Sequence, residues 1–222
     1  MARPVSVVQT FWGSSIGKKA VMAVTGVIMA GFVVGHLLGN LLVFRGRTET
    51  NQYAEFLRST GSLLWLARGV LLTSVVLHVV AAVQLTRRQR DARPAGYAQR
   101  SPQVSTFAAR TIRWGGLIIL LFVVYHLLHL TFGTAHPRFV HADVYGNVVT
   151  GFRVWWVSAI YLVAMAALGL HLYHGTWSSF RTLGLTRATR HPFRRRAVAV
   201  LAVGLWIGFS AIPIAVLAGV VR

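Results

Sequence analysis

Five apolar stretches, at roughly 20–44, 64–86, 114–133, 154–178 and 197–221, are each long enough to cross a lipid bilayer. At a rise of ~1.5 Å per residue, about 20 residues match a hydrocarbon layer of ~30 Å. Inside that layer no water satisfies the backbone, so a run of this length must close its hydrogen bonds within itself as a helix. The expected fold is therefore all-α and integral to the membrane, a single domain over 1–222. The first four spans form a ligand-binding bundle and the fifth packs alongside. Only 12% of the residues are charged and the mean hydropathy is +0.59, too little surface charge for a soluble domain of this length. Residues 1–19 read as an amphipathic lead-in containing Trp12, Ser14, Ser15, Lys18 and Lys19. A secretory signal has a shorter apolar core and a small-residue cleavage site, so the first span is expected to be retained.

Charge sets an orientation. The chain carries 23 Lys and Arg against 4 Asp and Glu. The N-terminus and the 87–113 and 179–196 connections hold 16 of those 23 basic residues. The 45–68 and 134–153 connections and the C-terminus hold the other 7, with Glu49, Glu55 and Asp143. Under the positive-inside rule the N-terminus lies in the cytoplasm and the C-terminus outside, as five spans require, in a bacterial-type inner membrane. The basic residues lie between apolar runs and are not interleaved with aromatics, so nucleic acid is not an expected partner. A basic cytoplasmic face instead suits docking of a protein partner. Arg153, Trp155 and Trp156 read as an interfacial anchor for the fourth span, and Pro94, Gly96, Ser101 and Pro102 as an irregular second connection.

The chain has no cysteine, which excludes disulfides, Cys-ligated iron–sulfur clusters and covalent C-x-x-C-H haem attachment in this chain. It has nine histidines, and six of them fall inside apolar spans: His36, His78, His126, His129, His171 and His174. An ionisable side chain at membrane depth points to function. A single such histidine more often makes a helix–helix hydrogen bond than a metal bond, but the first four spans each carry one or more, and the fifth none. Depth arranges them in pairs. At ~1.5 Å per residue, His78 and His171 lie ~12 Å from the cytoplasmic edge and His36 ~24 Å, with His126 at ~18 Å or His129 at ~22 Å in the third span. The result is one pair in each half of the membrane. Two opposed imidazoles without a carboxylate suit a six-coordinate haem b, whereas zinc wants a tighter set of three or four ligands. Small residues near the histidines (Gly31, Gly35, Gly39, Ala81, Ala82, Gly169, Gly175) suit a flat macrocycle, although small-residue packing between membrane helices uses the same pattern. His129 and His174 follow ligand candidates by three residues and read as supporting groups. His136, His141 and His191 read as solvated loop residues.

Several blocks carry a resemblance. They are Ser14-Ser15-Ile16-Gly17-Lys18-Lys19 leading to Thr25-Gly26, then His36-Leu37-Leu38-Gly39-Asn40, and Asn51-Gln52-Tyr53-Ala54-Glu55-Phe56-Leu57-Arg58. His78 and Tyr125-His126 follow, and then His171-Leu172-Tyr173-His174-Gly175-Thr176-Trp177-Ser178-Ser179-Phe180 with Thr182-Leu183-Gly184. In these blocks the chain resembles, over nearly its whole length, the dihaem cytochrome b membrane subunit of succinate:quinone oxidoreductases and fumarate reductases (respiratory complex II). The last block is the most specific. The resemblance implies a five-helix anchor with His36 and His126 on a distal haem b and His78 and His171 on a proximal one, selecting His126 over His129. It further implies a flavoprotein subunit and an iron–sulfur subunit on the cytoplasmic face, with electrons passing between succinate and a membrane quinone, menaquinone being the expected one. On this reading the chain anchors, ligates haem and binds quinone, and does not itself act on succinate. Ser14, Ser15, Lys18, Trp177 and Ser178, at the cytoplasmic edge, are the candidate quinone contacts, with a region near His129 or Asp143 as the competing place. A dihaem anchor of a formate dehydrogenase or hydrogenase is the main alternative. Such anchors usually have four helices and dock their partners on the opposite face. A transporter or structural membrane protein is the alternative from another class. Higher oligomers of the complex are compatible with this reading.

Overall fold

The computed structural model describes residues 11–92, 107–184 and 192–222. Pro94, Gly96, Arg100, Ser101, Pro102, Arg187, Arg190 and His191 lie outside the described residues. Among those described there is no strand. Helix α1 (Ser15–Asn40) runs into a 3-10 turn (Leu41–Arg45), followed by α2 (Arg47–Ser59), α3 (Ser62–Asp91) and α4 (Phe107–His126). The last of these widens into a π turn (Leu127–Thr131), and α5 (Val144–Phe152), α6 (Trp155–Thr182) and α7 (Pro192–Leu217) complete the chain. Five of these helices, α1, α3, α4, α6 and α7, are long and apolar enough to cross a membrane. Large apolar side chains stay exposed along all five, among them Phe32, Leu72, Trp114, Leu121, Val163 and Val200. Such faces match a chain whose solvent is lipid.

Local chemistry fixes the element ends. Ser14, in extended conformation, accepts the N–H of Gly17 at 2.9 Å and caps α1. Gly46 (φ 114°) and Gly61 (φ 54°) flank α2 in backbone conformations that disfavour a side chain, so α2 is set off from both neighbouring spans. The 45–68 and 134–153 connections are thus not plain loops as read from sequence. Each contains a helix, α2 in the first and α5 in the second, and polar side chains join the two. Asp143 caps α5 by accepting the N–H of Gly146 at 3.0 Å, accepts from Asn51 at 3.0 Å, and pairs with Arg47. Asn51 in turn accepts the N–H of Tyr145 at 3.0 Å, which locks α2 onto α5. The fifth span also ends earlier than the expected 221. The helix stops at Leu217, where Gly219 (φ 71°) turns the chain and the N–H of Val220 bonds back to the carbonyl of Ala215 at 2.9 Å.

Packing is uneven across the molecule. Helix α1 lies against α3 and α6, α6 also packs on α4 and α7, and α7 touches α1. Among the pairings that do not close are α1 with α4 and α3 with α6, which make at most glancing backbone contact. The continuous core sits at the end of the bundle that carries α2 and α5, where Val148, Val149 and Phe152 of α5 wedge among Val43, Val157, Tyr161, Ile212 and Val216. The opposite end of the bundle has no comparable apolar cluster among the described residues.

Candidate functional site

The four spans that carry histidines present them across the two gaps just described. His36 on α1 faces His126 on α4 with ring centres 5.9 Å apart, and His78 on α3 faces His171 on α6 with ring centres 6.1 Å apart. All four rings are half-buried. A metal–imidazole bond of ~2.0–2.1 Å on each side, with roughly 1 Å more from nitrogen to ring centre, places two axial imidazoles about 6 Å apart. Both pairs have that spacing. Among the described residues no three His, Asp or Glu side chains gather as a multi-ligand metal site would need. Among the described residues the span histidines meet two by two, a donor set that would suit a bis-imidazole haem better than a zinc centre.

Contacts between helices give the distance between the pairs. Thr25 lies against His78, and His36 follows eleven residues later on α1, a rise of ~16 Å. Tyr161 lies against His126, and His171 follows ten residues later on α6, a rise of ~15 Å. The pairs are thus stacked along the bundle, one towards each end.

Each pair has its own surroundings. At the His78–His171 pair, His78 Nδ1 donates to the carbonyl of Met22 at 3.1 Å and lies 3.2 Å from the Thr25 hydroxyl, which leaves Nε2 with a free lone pair. That is the tautomer a metal ligand needs, fixed by a main-chain acceptor. The Nδ1 of His171 is buried and makes no hydrogen bond. Close glycines make room for both rings: a Cβ on Gly26 would meet His78 at 3.4 Å, and one on Gly116 would meet His171 at 3.7 Å. The His36–His126 pair is lined by aromatics. Phe32 stacks on His36 at 5.3 Å, Phe209 lies 6.0 Å from it, and Phe122 lies 5.8 Å from His126. Tyr161 places its hydroxyl 3.3 Å from Nδ1 of His126. Asn40 reaches the His36 ring at 3.3 Å and its carbonyl at 2.7 Å.

Gly31, Gly35 and Gly175 each face space in which an added Cβ would touch nothing within 4 Å, as the face of a macrocycle would need. Gly39 and Gly169 do not share this role. Gly39 gives way to the ring of Tyr53, and Gly169 to Trp206. They are close-packing positions between helices. Ala81 is fully buried, and Ala82 half-buried.

His129 does not reach His36. It is fully buried in the π turn, stacks between Tyr125 (5.5 Å) and His136 (4.9 Å), and its Nδ1 lies 3.0 Å from the Tyr161 hydroxyl. His174 is half-buried on α6, one turn beyond His171. His136 is not the solvated residue that its loop position implied. It is buried, donates from Nε2 to the carbonyl of Asn147 at 2.9 Å and accepts the N–H of Arg138 at 3.0 Å. The loop folds over the end of α5 and carries it inward. His141 is exposed, as expected.

At the other end of the molecule, the Ser14 hydroxyl is occupied as a helix cap. Lys18 is buried and donates to the carbonyl of Trp12, with its ammonium 5.3 Å from that ring. Ser15 is exposed and Trp177 half-buried. Sequence reasoning missed Tyr161, Tyr125 and the Met22–Thr25 contact. A tyrosine in mid-span was the available signal, because a buried phenol needs a hydrogen-bond partner. No family model, curated protein or solved structure matches the chain.

Proposed function

We propose that this chain is the dihaem cytochrome b membrane subunit of a complex of the succinate:quinone oxidoreductase or fumarate reductase type. His36 and His126 would hold one haem b, and His78 and His171 the other. One observation carries the reading: two opposed imidazole pairs, 5.9 Å and 6.1 Å between ring centres, across two pairings of spans, α1 with α4 and α3 with α6, whose backbones do not close on each other. The sequence blocks around His36, His78, His126 and His171 support the choice of family. Haem bound in this way supplies one-electron transfer. The residues of this chain hold and orient it: Met22 and Thr25 fix the His78 ring, and the aromatic lining of the His36–His126 pair keeps water away. Soluble flavoprotein and iron–sulfur subunits would dock on the basic face that carries Arg87, Arg88, Arg90, Arg195 and Arg196, taken as cytoplasmic. A membrane quinone, expected to be menaquinone, would exchange electrons at an edge of the bundle, with Ser15 and Trp177 the contacts least committed elsewhere.

The direct test is purification of the chain from a haem-replete host, with absorption spectra and haem quantitation. Two low-spin b-type haems per chain are expected. A chain that folds, stays monodisperse and takes up no haem would overturn the reading. Co-purification with flavin- and iron–sulfur-containing subunits would then separate this family from other dihaem anchors.

A further inference from the structure

We propose that Tyr161 is the positioning residue for His126, and that it acts through a one-way hydrogen-bond chain ending on His129; the inference rests on the haem reading above. Tyr161 is buried, and its hydroxyl lies between two imidazoles, 3.3 Å from Nδ1 of His126 and 3.0 Å from Nδ1 of His129. A hydroxyl has one proton and cannot donate to both. A histidine that ligates a metal through Nε2 carries its proton on Nδ1 and donates it to a neighbouring acceptor. His126 would therefore donate to the tyrosine oxygen, and the tyrosine proton must go to His129.

The rest of the cluster fixes the far end. With Nδ1 accepting, His129 keeps its proton on Nε2, which is buried and has no hydrogen-bond partner in the protein. His136 is stacked on His129 but cannot accept that proton. Its Nδ1 already accepts from Arg138, so its Nε2 bears hydrogen and donates to Asn147. The chain therefore runs His126 to Tyr161 to His129 and stops. The orphaned donor on His129 costs stability, since a buried unmade hydrogen bond is unfavourable. Its retention is explained if His129 is needed as the acceptor that turns the tyrosine. His126 and His129 stand three residues apart where α4 passes into the π turn, and residues at that spacing are neighbours on a helix, so both rings can reach one hydroxyl.

The two pairs differ in consequence. His78 is held by a main-chain carbonyl, which substitution does not remove, whereas His126 is held by a side chain, which substitution does. Donation from Nδ1 makes the imidazole a stronger donor to iron and favours the oxidised metal. Tyr161→Phe keeps the ring that packs on Phe152 and Phe122 and removes only the hydroxyl.

The experiment is redox titration, with electron paramagnetic resonance of both low-spin haems, on full-length haem-loaded protein. In Tyr161→Phe one haem potential should rise, its low-spin signal should shift, and its retention should weaken by ~10–100-fold, while the other haem is unchanged. His129→Leu should give a smaller shift of the same sign in the same haem. His129→Asn, whose side-chain oxygen can accept where Nδ1 did, should restore it. Wild-type potentials for both haems in Tyr161→Phe, or an equal shift in both, would overturn the proposal. If Tyr161→Phe fails to fold, an unshifted potential in His129→Leu would overturn it in the same way. Wild-type protein without haem would instead strike the haem reading beneath it.

Discussion

The Nδ1 of His78 donates to the main-chain carbonyl of Met22 at 3.1 Å, across 56 residues of sequence. This contact ties α3 to α1 at the point where Gly26 leaves room for the imidazole. A ring held from behind by a backbone group presents Nε2 in a fixed direction, towards His171.

Haem should accordingly be lost by pairs. His78→Ala or His171→Ala should remove or alter one spectral component, and His36→Ala or His126→Ala the other. Haem stoichiometry and redox titration of these four variants and His129→Ala form the check. Should His36→Ala and His78→Ala abolish the same component, the pairing is wrong. The same holds if His129→Ala behaves like His36→Ala while His126→Ala keeps both haems.

Gly151 tests the buried histidine cluster without touching a histidine. An added Cβ would sit 2.8 Å from Cε1 of His129 and 3.1 Å from Nε2 of His136. Both rings are enclosed, so Gly151→Ala should destabilise the protein by about 1–3 kcal/mol through overpacking. Thermal unfolding in detergent measures this. A wild-type melting temperature would mean that the cluster is looser than the packing indicates.

Acid should loosen the contact between α2 and α5. Partial burial pushes the Asp143 carboxyl up, but hydrogen bonds from Asn51 and the Gly146 N–H, with the charge and hydrogen bond of Arg47, outweigh it and hold the group below the usual carboxylate range. A carboxylate depressed in the folded state stabilises fully above its ordinary value of ~3.9, and the contribution fades as pH falls through the lower folded value. Unfolding followed from pH 6 downward should show this loss in wild-type protein and much less of it in Asp143→Asn. Identical acid profiles would remove Asp143 from the account.

Ser14 and Ser15 separate a structural role from a quinone role. Ser14→Ala deletes the cap on α1 and should cost about 1 kcal/mol. Ser15 is exposed, so Ser15→Ala should leave the melting temperature unchanged. With the cytoplasmic edge as the quinone site, Ser15→Ala and Trp177→Leu impair quinone reduction while reduction of an artificial dye survives. Unchanged quinone turnover in both variants moves the site to the outer end.

Partner docking should depend on salt. Arg87, Arg88 and Arg90 are exposed at the end of α3. Rim charges of this kind steer association and are screened at high ionic strength. If soluble subunits dock on this face as proposed, charge reversal at these three positions should weaken their retention, as should raised salt. Indifference to both would leave these arginines a purely topological role.

The sequence alone determines the number of spans, their approximate limits and the position of each span histidine along its helix. Apolar length and the fixed rise of a helix are one-dimensional quantities, and composition contains them. What it leaves open is the direction in which each side chain points. Depth places His126 and His129 within about one turn of each other, and only packing puts His126 beside His36 and turns His129 towards Tyr161 and His136. Nothing in Leu127–Thr131 announces the π turn either. Gly39 and Gly169 share the small-residue pattern of Gly31 and Gly35, yet they meet Tyr53 and Trp206. His136 sits in a stretch that reads as solvent-exposed, and α5 and its loop fold it inward. Azimuth, burial and hydrogen-bond direction depend on which helices touch. Those contacts join residues far apart in the chain, so they exist only once the tertiary structure has formed.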